Sequence, residues 1–166
     1  RKGSCFGGRS LLTALLLIGI IFSLSFYQVS DPDLWMYLKS GQIMGSEGEP
    51  LLTDIYSYTR AGGEWINHSW LSQLILYFFY RNFRITGLYL FRFLILAATF
   101  ALIFASVRRK TGSPAAVWLT LAAILASSQR FFIRPELVTF LFLVLLIYLL
   151  EKYRTHQFRR LLLIPF

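Results

Sequence analysis

Charge is scarce in this sequence: 15% of its 166 residues are charged, against 56% that are hydrophobic. A soluble domain of this size needs a far more charged surface, which argues against that class. Proline is sparse at five residues and no segment is of low complexity, so disorder explains the composition poorly. The single cysteine, Cys5, cannot form an internal disulfide. Also missing are a metal-ligand cluster, a phosphate-binding glycine loop, a Ser-His-Asp arrangement, an ion-channel filter and an internal repeat.

What the sequence does have is long apolar runs punctuated by short basic clusters. A net charge of +9 in a soluble protein would suggest nucleic acid. Here the cations flank apolar runs, the pattern that sets membrane topology, and no nucleic-acid partner is expected. The first run, 11–27, follows Arg1, Lys2 and Arg9 and is short for crossing ~30 Å of hydrocarbon. A cleaved signal peptide is the rival reading, but Ser23-Leu24-Ser25 is only a weak cleavage site, and an uncleaved anchor is preferred. The run 88–107 carries one charge, Arg92, and ends in Arg108-Arg109-Lys110, which reads as a second span. Runs 114–128 and 137–150 are each too short alone and are expected to borrow length from 129–136. Lys152, Arg154, Arg159 and Arg160 follow.

Placing the three basic clusters in the cytoplasm gives an all-α, polytopic membrane protein. About four transmembrane helices are expected, with interfacial helices in a first extracytoplasmic loop. The expected location is the plasma (inner) membrane, multi-pass. The organisation is a tail and first helix over 1–27, a loop over 28–87, three further spans over 88–160, and the start of another helix over 161–166. The chain is expected to be the N-terminal part of a longer protein.

The loop is acidic. Residues 28–68 hold Asp31, Asp33, Glu47, Glu49, Asp54 and Glu64, opposed only by Lys39 and Arg60. Positions 33–44 read as a short amphipathic helix with Leu34, Trp35 and Leu38 on one face, Asp31 as N-cap and Pro32 at the first helical position. A second helical pattern, 67–80, puts Trp70, Leu71, Leu74, Ile75, Phe78 and Phe79 on one face. It is too short to span and is expected to lie in the interface. Turns are expected at 45–50 and 60–63.

Two carboxylates two residues apart, Asp31 and Asp33, can converge on a divalent cation, or one can act as a general base. They can equally be an acidic N-cap pair with no chemistry. If the fourth span starts near Phe131, Arg134 lies within the outer leaflet, where an isolated charge is costly. It must then pair with Glu136, hold a lipid phosphate, point toward the loop carrying Asp31, or snorkel. Arg130 poses the same question with less burial. Arg92 either faces the same cavity or snorkels. His68, between Trp65 and Trp70, is a candidate ligand, although a lone histidine more often caps or packs. Asn67-His68-Ser69 is formally a glycosylation sequon.

From Asp31-Pro32-Asp33-Leu34-Trp35 onward the chain resembles the GT-C membrane glycosyltransferases, particularly bacterial members that use polyprenyl-phosphate sugars. The resemblance continues through Gly41, Pro50, Asp54-Ile55-Tyr56-Ser57-Tyr58-Thr59, Gly62-Gly63, Trp65, His68-Ser69-Trp70-Leu71 and Arg134-Pro135-Glu136, covering roughly residues 10 to 150. It implies transfer of a sugar from a polyprenyl-phosphate-type carrier, so the partners are a lipid-linked sugar donor and membrane lipids. It also implies an acidic residue of the first loop as base or metal ligand, a role falling on Asp31 or Asp33, with Mg or Mn as candidate cofactor. Arg134, Glu136, His68, Asp54 and Arg92 are then the substrate-binding candidates. The chain departs from the pattern at Met36 and Tyr37, where many such sequences carry an aromatic residue and a histidine. The rival classes are a transporter or flippase subunit and a membrane scaffold. The near absence of charge within the spans favours the enzyme.

Overall fold

The computed structural model describes residues 8–26 and 31–154. The tail cluster Arg1 and Lys2, Cys5, the basic residues Arg159 and Arg160, and the run 161–166 lie outside them. The described residues are helical: α1 Gly8–Ser25, α2 Asp33–Glu47, α3 Trp70–Thr111, α4 Ser113–Ser127, a 3₁₀ turn Ser128–Arg130, and α5 Glu136–Arg154. Their only β pairing is an isolated bridge between Thr53 and Glu64. Two compact units emerge. One comprises the described residues of 8–26, 93–131 and 136–154; the other comprises 31–92 and 132–135.

In the helical unit, Leu17, Ile21, Leu96, Phe100, Ile124, Phe131 and Leu137 form the core. Phe22 meets Phe93 edge-on at 5.6 Å, and Phe100 meets Phe131 at 5.8 Å. Gly112 takes φ 81°, a conformation only glycine adopts freely, and ends α3; Pro114 then sits in the first turn of α4. Arg109 donates to the Tyr148 hydroxyl at 2.6 Å, and Lys110 pairs with Glu151, so the basic end of α3 is tied to α5.

Among the described residues, one helix, Trp70–Thr111, is long and apolar enough to cross a membrane. The expectation of four such helices goes further than this. Helix α4, at 15 residues, is about 22 Å long, short of the ~30 Å hydrocarbon layer. The borrowing expected from 129–136 is slight: α4 stops at Ser127, Ser128–Arg130 form a 3₁₀ turn, and α5 takes only Glu136 from that stretch. Pro135 is the reason, because a residue preceding proline is pushed out of the helical region, which leaves Arg134 in the connection.

In the second unit, α2 buries Leu34, Leu38, Gly41 and Met44, and Gly41 packs on Gln73 and Tyr77 in the first part of α3. Full burial of each large apolar side chain is worth about 1.5–3 kcal/mol. Trp35, expected on that face, is instead 57% exposed. Gly48 closes α2 at φ 77°, its N–H bonding Met44 O at 2.9 Å. A Cβ on Gly41 would stand 2.3 Å from Gln73 O and 2.7 Å from Tyr77 Cβ, so the two helices touch backbone to backbone. Gly41→Ala must push them apart. A loss of about 1–3 kcal/mol or more is expected in thermal or denaturant unfolding, and an unchanged midpoint would contradict this contact.

Asn67 and Gln73, both buried, exchange amide hydrogen bonds at 2.8 and 3.1 Å. This lock fixes the entry into α3 and withdraws the asparagine of the formal sequon from solvent. The loop before it is pinned by Trp65 N–H to Leu52 O at 2.7 Å and Asp54 N–H to Gly63 O at 2.8 Å. Tyr56 fastens the loop to α2 through Ser40 Oγ at 2.7 Å and Met36 O at 3.2 Å.

Helix α3 is broken at Arg84, where φ 55° and ψ −142° are non-helical. Such a conformation costs a non-glycine residue on the order of 1–3 kcal/mol. On an unbroken helix, residues 79 and 91 would be separated by about 18 Å. Their rings are centred 5.5 Å apart, and a Cβ on Gly87 would lie 2.2 Å from Phe79 O. The chain therefore folds back at the kink, so the helical stretches before and after Arg84 lie against each other. Before the kink, Gln73, Leu74 and Tyr77 approach Gly41 and Gly45 of α2, while Trp70, Leu71 and Phe78 of the apolar stripe are exposed.

Candidate functional site

The first turn of α2 begins at a proline already in helical geometry, Pro32 at φ −63° and ψ −31°. Asp31 Oδ1 accepts the Asp33 N–H at 3.1 Å, so this carboxylate caps the turn. Both Asp31 oxygens also receive Arg134, Oδ2 from Nε and Oδ1 from NH2 at 3.2 Å. This two-pronged pairing is the strong form of a guanidinium–carboxylate contact. The same NH2 stands 3.5 Å from Asp33 Oδ2. Arg134 is presented by a tight turn, its N–H bonding Phe132 O at 2.9 Å, with Ile133 buried as the anchor.

The cost of an isolated charge demanded a partner for Arg134, and the structure supplies Asp31 and Asp33. Exposure separates the three side chains: Asp31 keeps 2% of its surface, Arg134 36% and Asp33 50%. Asp31 is thus spent on capping and pairing. Asp33, held by one longer contact, is half exposed and can meet an incoming group.

The other candidates are distributed more widely. Asp54 Oδ1 accepts the N–H groups of Tyr56 and Ser57, each at 2.9 Å, in a turn of its own. His68 is exposed at the turn into α3, its N–H bonding Ile66 O at 3.1 Å. Arg92 is buried, with its guanidinium carbon 5.6 Å from the Tyr89 ring centre. Glu136 opens α5, where an acidic residue suits a helix N-terminus, and belongs to the helical unit.

Between Asp31 and Asp33, where the candidate Mg or Mn ion would be held, Arg134 places a positive charge, which does not suit a divalent cation there.

The Asp54 carboxyl is held below its ordinary 3.8, first by the Ser57 side chain and then by the Ser57 and Tyr56 N–H groups. A carboxyl lowered on folding stabilises fully above its unfolded value and loses that contribution as pH falls through the folded one. Hydrogen-exchange protection of Tyr56 and Ser57 is therefore expected to hold from neutrality down to about pH 5 and to fade below about pH 3.8. Fading already between neutrality and pH 5 would contradict the turn's dependence on Asp54.

No protein family, curated protein or solved structure matches this chain.

Proposed function

We propose that the chain is part of a membrane glycosyltransferase of the GT-C kind, taking sugar from a polyprenyl-phosphate-type carrier at the extracytoplasmic face of the plasma membrane. The observation that carries the reading is the half-exposed Asp33 carboxylate, set on a helix start beside the guanidinium of Arg134, which Asp31 holds in place. In the proposed step, Asp33 takes the proton of the acceptor hydroxyl as its oxygen bonds the anomeric carbon. The bond from that carbon to the carrier phosphate breaks, and the departing phosphate takes the electron pair, its charge offset by the nearby Arg134 guanidinium.

The membrane part of the reading has α1, residues 85–111, α4 and α5 crossing, with the basic end of α3 inside. Supporting it, α1, α4 and α5 turn Leu16, Phe22, Trp118, Leu119 and Phe142 outward, and the first part of α3 exposes Trp70, Leu71 and Phe78, as helices in contact with lipid do. The test is the intact protein in sealed vesicles supplied with a labelled polyprenyl-phosphate sugar. Labelled acceptor together with freed polyprenyl phosphate is expected. Intact carrier moved across the bilayer, with no glycosylated product, would replace this reading with a flippase.

A further inference from the structure

Helix α2 and the first part of α3 enclose a groove of about 440 Å³, within the size range of small-molecule sites. Its α2 wall carries Trp35, Lys39 and Gln42; its α3 wall carries Tyr80, Arg81 and Arg84. Three cations line it and no carboxylate does. Among the described residues none of the three is ion-paired, and Lys39 Nζ reaches only Gln42 Oε1, at 3.4 Å.

Arg81 and Arg84 line one wall and Lys39 the other, so three like charges share the groove. Arg84 is moreover the one described non-glycine residue at positive φ, held by the close packing of Gly87 on Phe79. Strain and uncompensated repulsion gathered at one groove call for a partner of opposite charge.

The geometry points to a binding site for a phosphate-bearing anion, monoester or diphosphate. Arg81 and Arg84 supply forked donors, Lys39 a point charge and Gln42 a neutral donor. Trp35, exposed and edge-on to Tyr80 at 6.4 Å, gives an apolar wall for whatever carries the phosphate. A lipid headgroup and a soluble phosphate compound share this chemistry. The inference does not rest on Asp33 acting as a base.

The test uses the purified chain in neutral detergent, with Trp35 fluorescence as the signal and Trp35→Phe to identify its share. One arm adds soluble pyrophosphate; the other adds phosphatidic acid to the micelles. A saturable change is expected in at least one arm. Saturation by phosphatidic acid alone assigns a lipid headgroup, and saturation by pyrophosphate a soluble phosphate. Arg81→Gln and Arg84→Gly should each weaken binding about ten-fold or more, while Arg60→Gln, the same charge change in the same unit, should leave it unaltered. Arg84→Gly is the decisive variant because glycine accepts φ 55° without strain, so the kink survives loss of the guanidinium, as unchanged helicity by circular dichroism would verify. No saturable change in either arm, wild-type affinity in Arg84→Gly, or equal weakening in Arg60→Gln would overturn the proposal.

Discussion

Arg134→Gln is expected to cost about 3–5 kcal/mol of stability, among the largest single-residue effects in the chain. The substitution leaves the Asp31 carboxylate, 2% exposed, without its opposite charge and without a two-pronged donor. Water cannot reach it to compensate. The mirror substitution is not equivalent. Asp31→Asn leaves a guanidinium that is 36% exposed and still 3.5 Å from Asp33, and asparagine can go on capping the Asp33 N–H. Its cost is expected at about 1–3 kcal/mol. Unfolding of both single variants and the double in the same detergent measures the coupling. Equal costs for the two singles would show that burial is not what makes Asp31 dependent on Arg134.

Asp33→Asn is expected to behave in the opposite sense. Its side chain is half exposed, and the change removes only a favourable charge at a helix start, worth about 0.3–1 kcal/mol. The unfolding midpoint should barely move. Sugar transfer by the intact protein should fall about 10²–10⁴-fold, the range a positioned general base supplies. Asp31→Asn that is less stable yet retains turnover once folded, beside a stable but inactive Asp33→Asn, would separate the two carboxylates that the sequence offers as a pair.

Much of α2 was legible before any coordinates. Asp31 as cap, Pro32 at the start and Leu34 and Leu38 on the buried face follow from local chemistry, whereas the expected end at Met44 falls short, since α2 runs on to Glu47 before Gly48 closes it. Trp35 was not, because one hundred degrees of helix separates it from Leu34 and the packed face is narrower than the apolar one. The stripe from Trp70 to Phe79 was legible as a stripe, but a sequence does not say whether protein or lipid covers an apolar face. Here Gln73, Leu74 and Tyr77 meet α2 while Trp70, Leu71 and Phe78 are exposed.

The kink at Arg84 had only one local signal, Gly87, three residues later. Its cause is tertiary: the close approach of Gly87 to Phe79. For Arg134, the energetic argument that it needs a partner was sound, while its placement inside a span was not, because the span was given a length that Pro135 forbids. The cationic groove was invisible for a different reason. Lys39 lies in an acidic stretch, Arg81 and Arg84 on a separate element, and tertiary packing, with Gly41 on Gln73 at its tightest point, brings their helices together.

The most direct measurement of the proposed chemistry is sugar transfer by the intact protein carrying Asp33→Ala, assayed with and without added formate. If position 33 supplies the carboxylate that takes the acceptor proton, turnover falls with the fold intact, then rises saturably as formate enters the vacated space, while the wild type is indifferent to formate. Wild-type turnover in Asp33→Ala without formate would contradict the role of Asp33 outright.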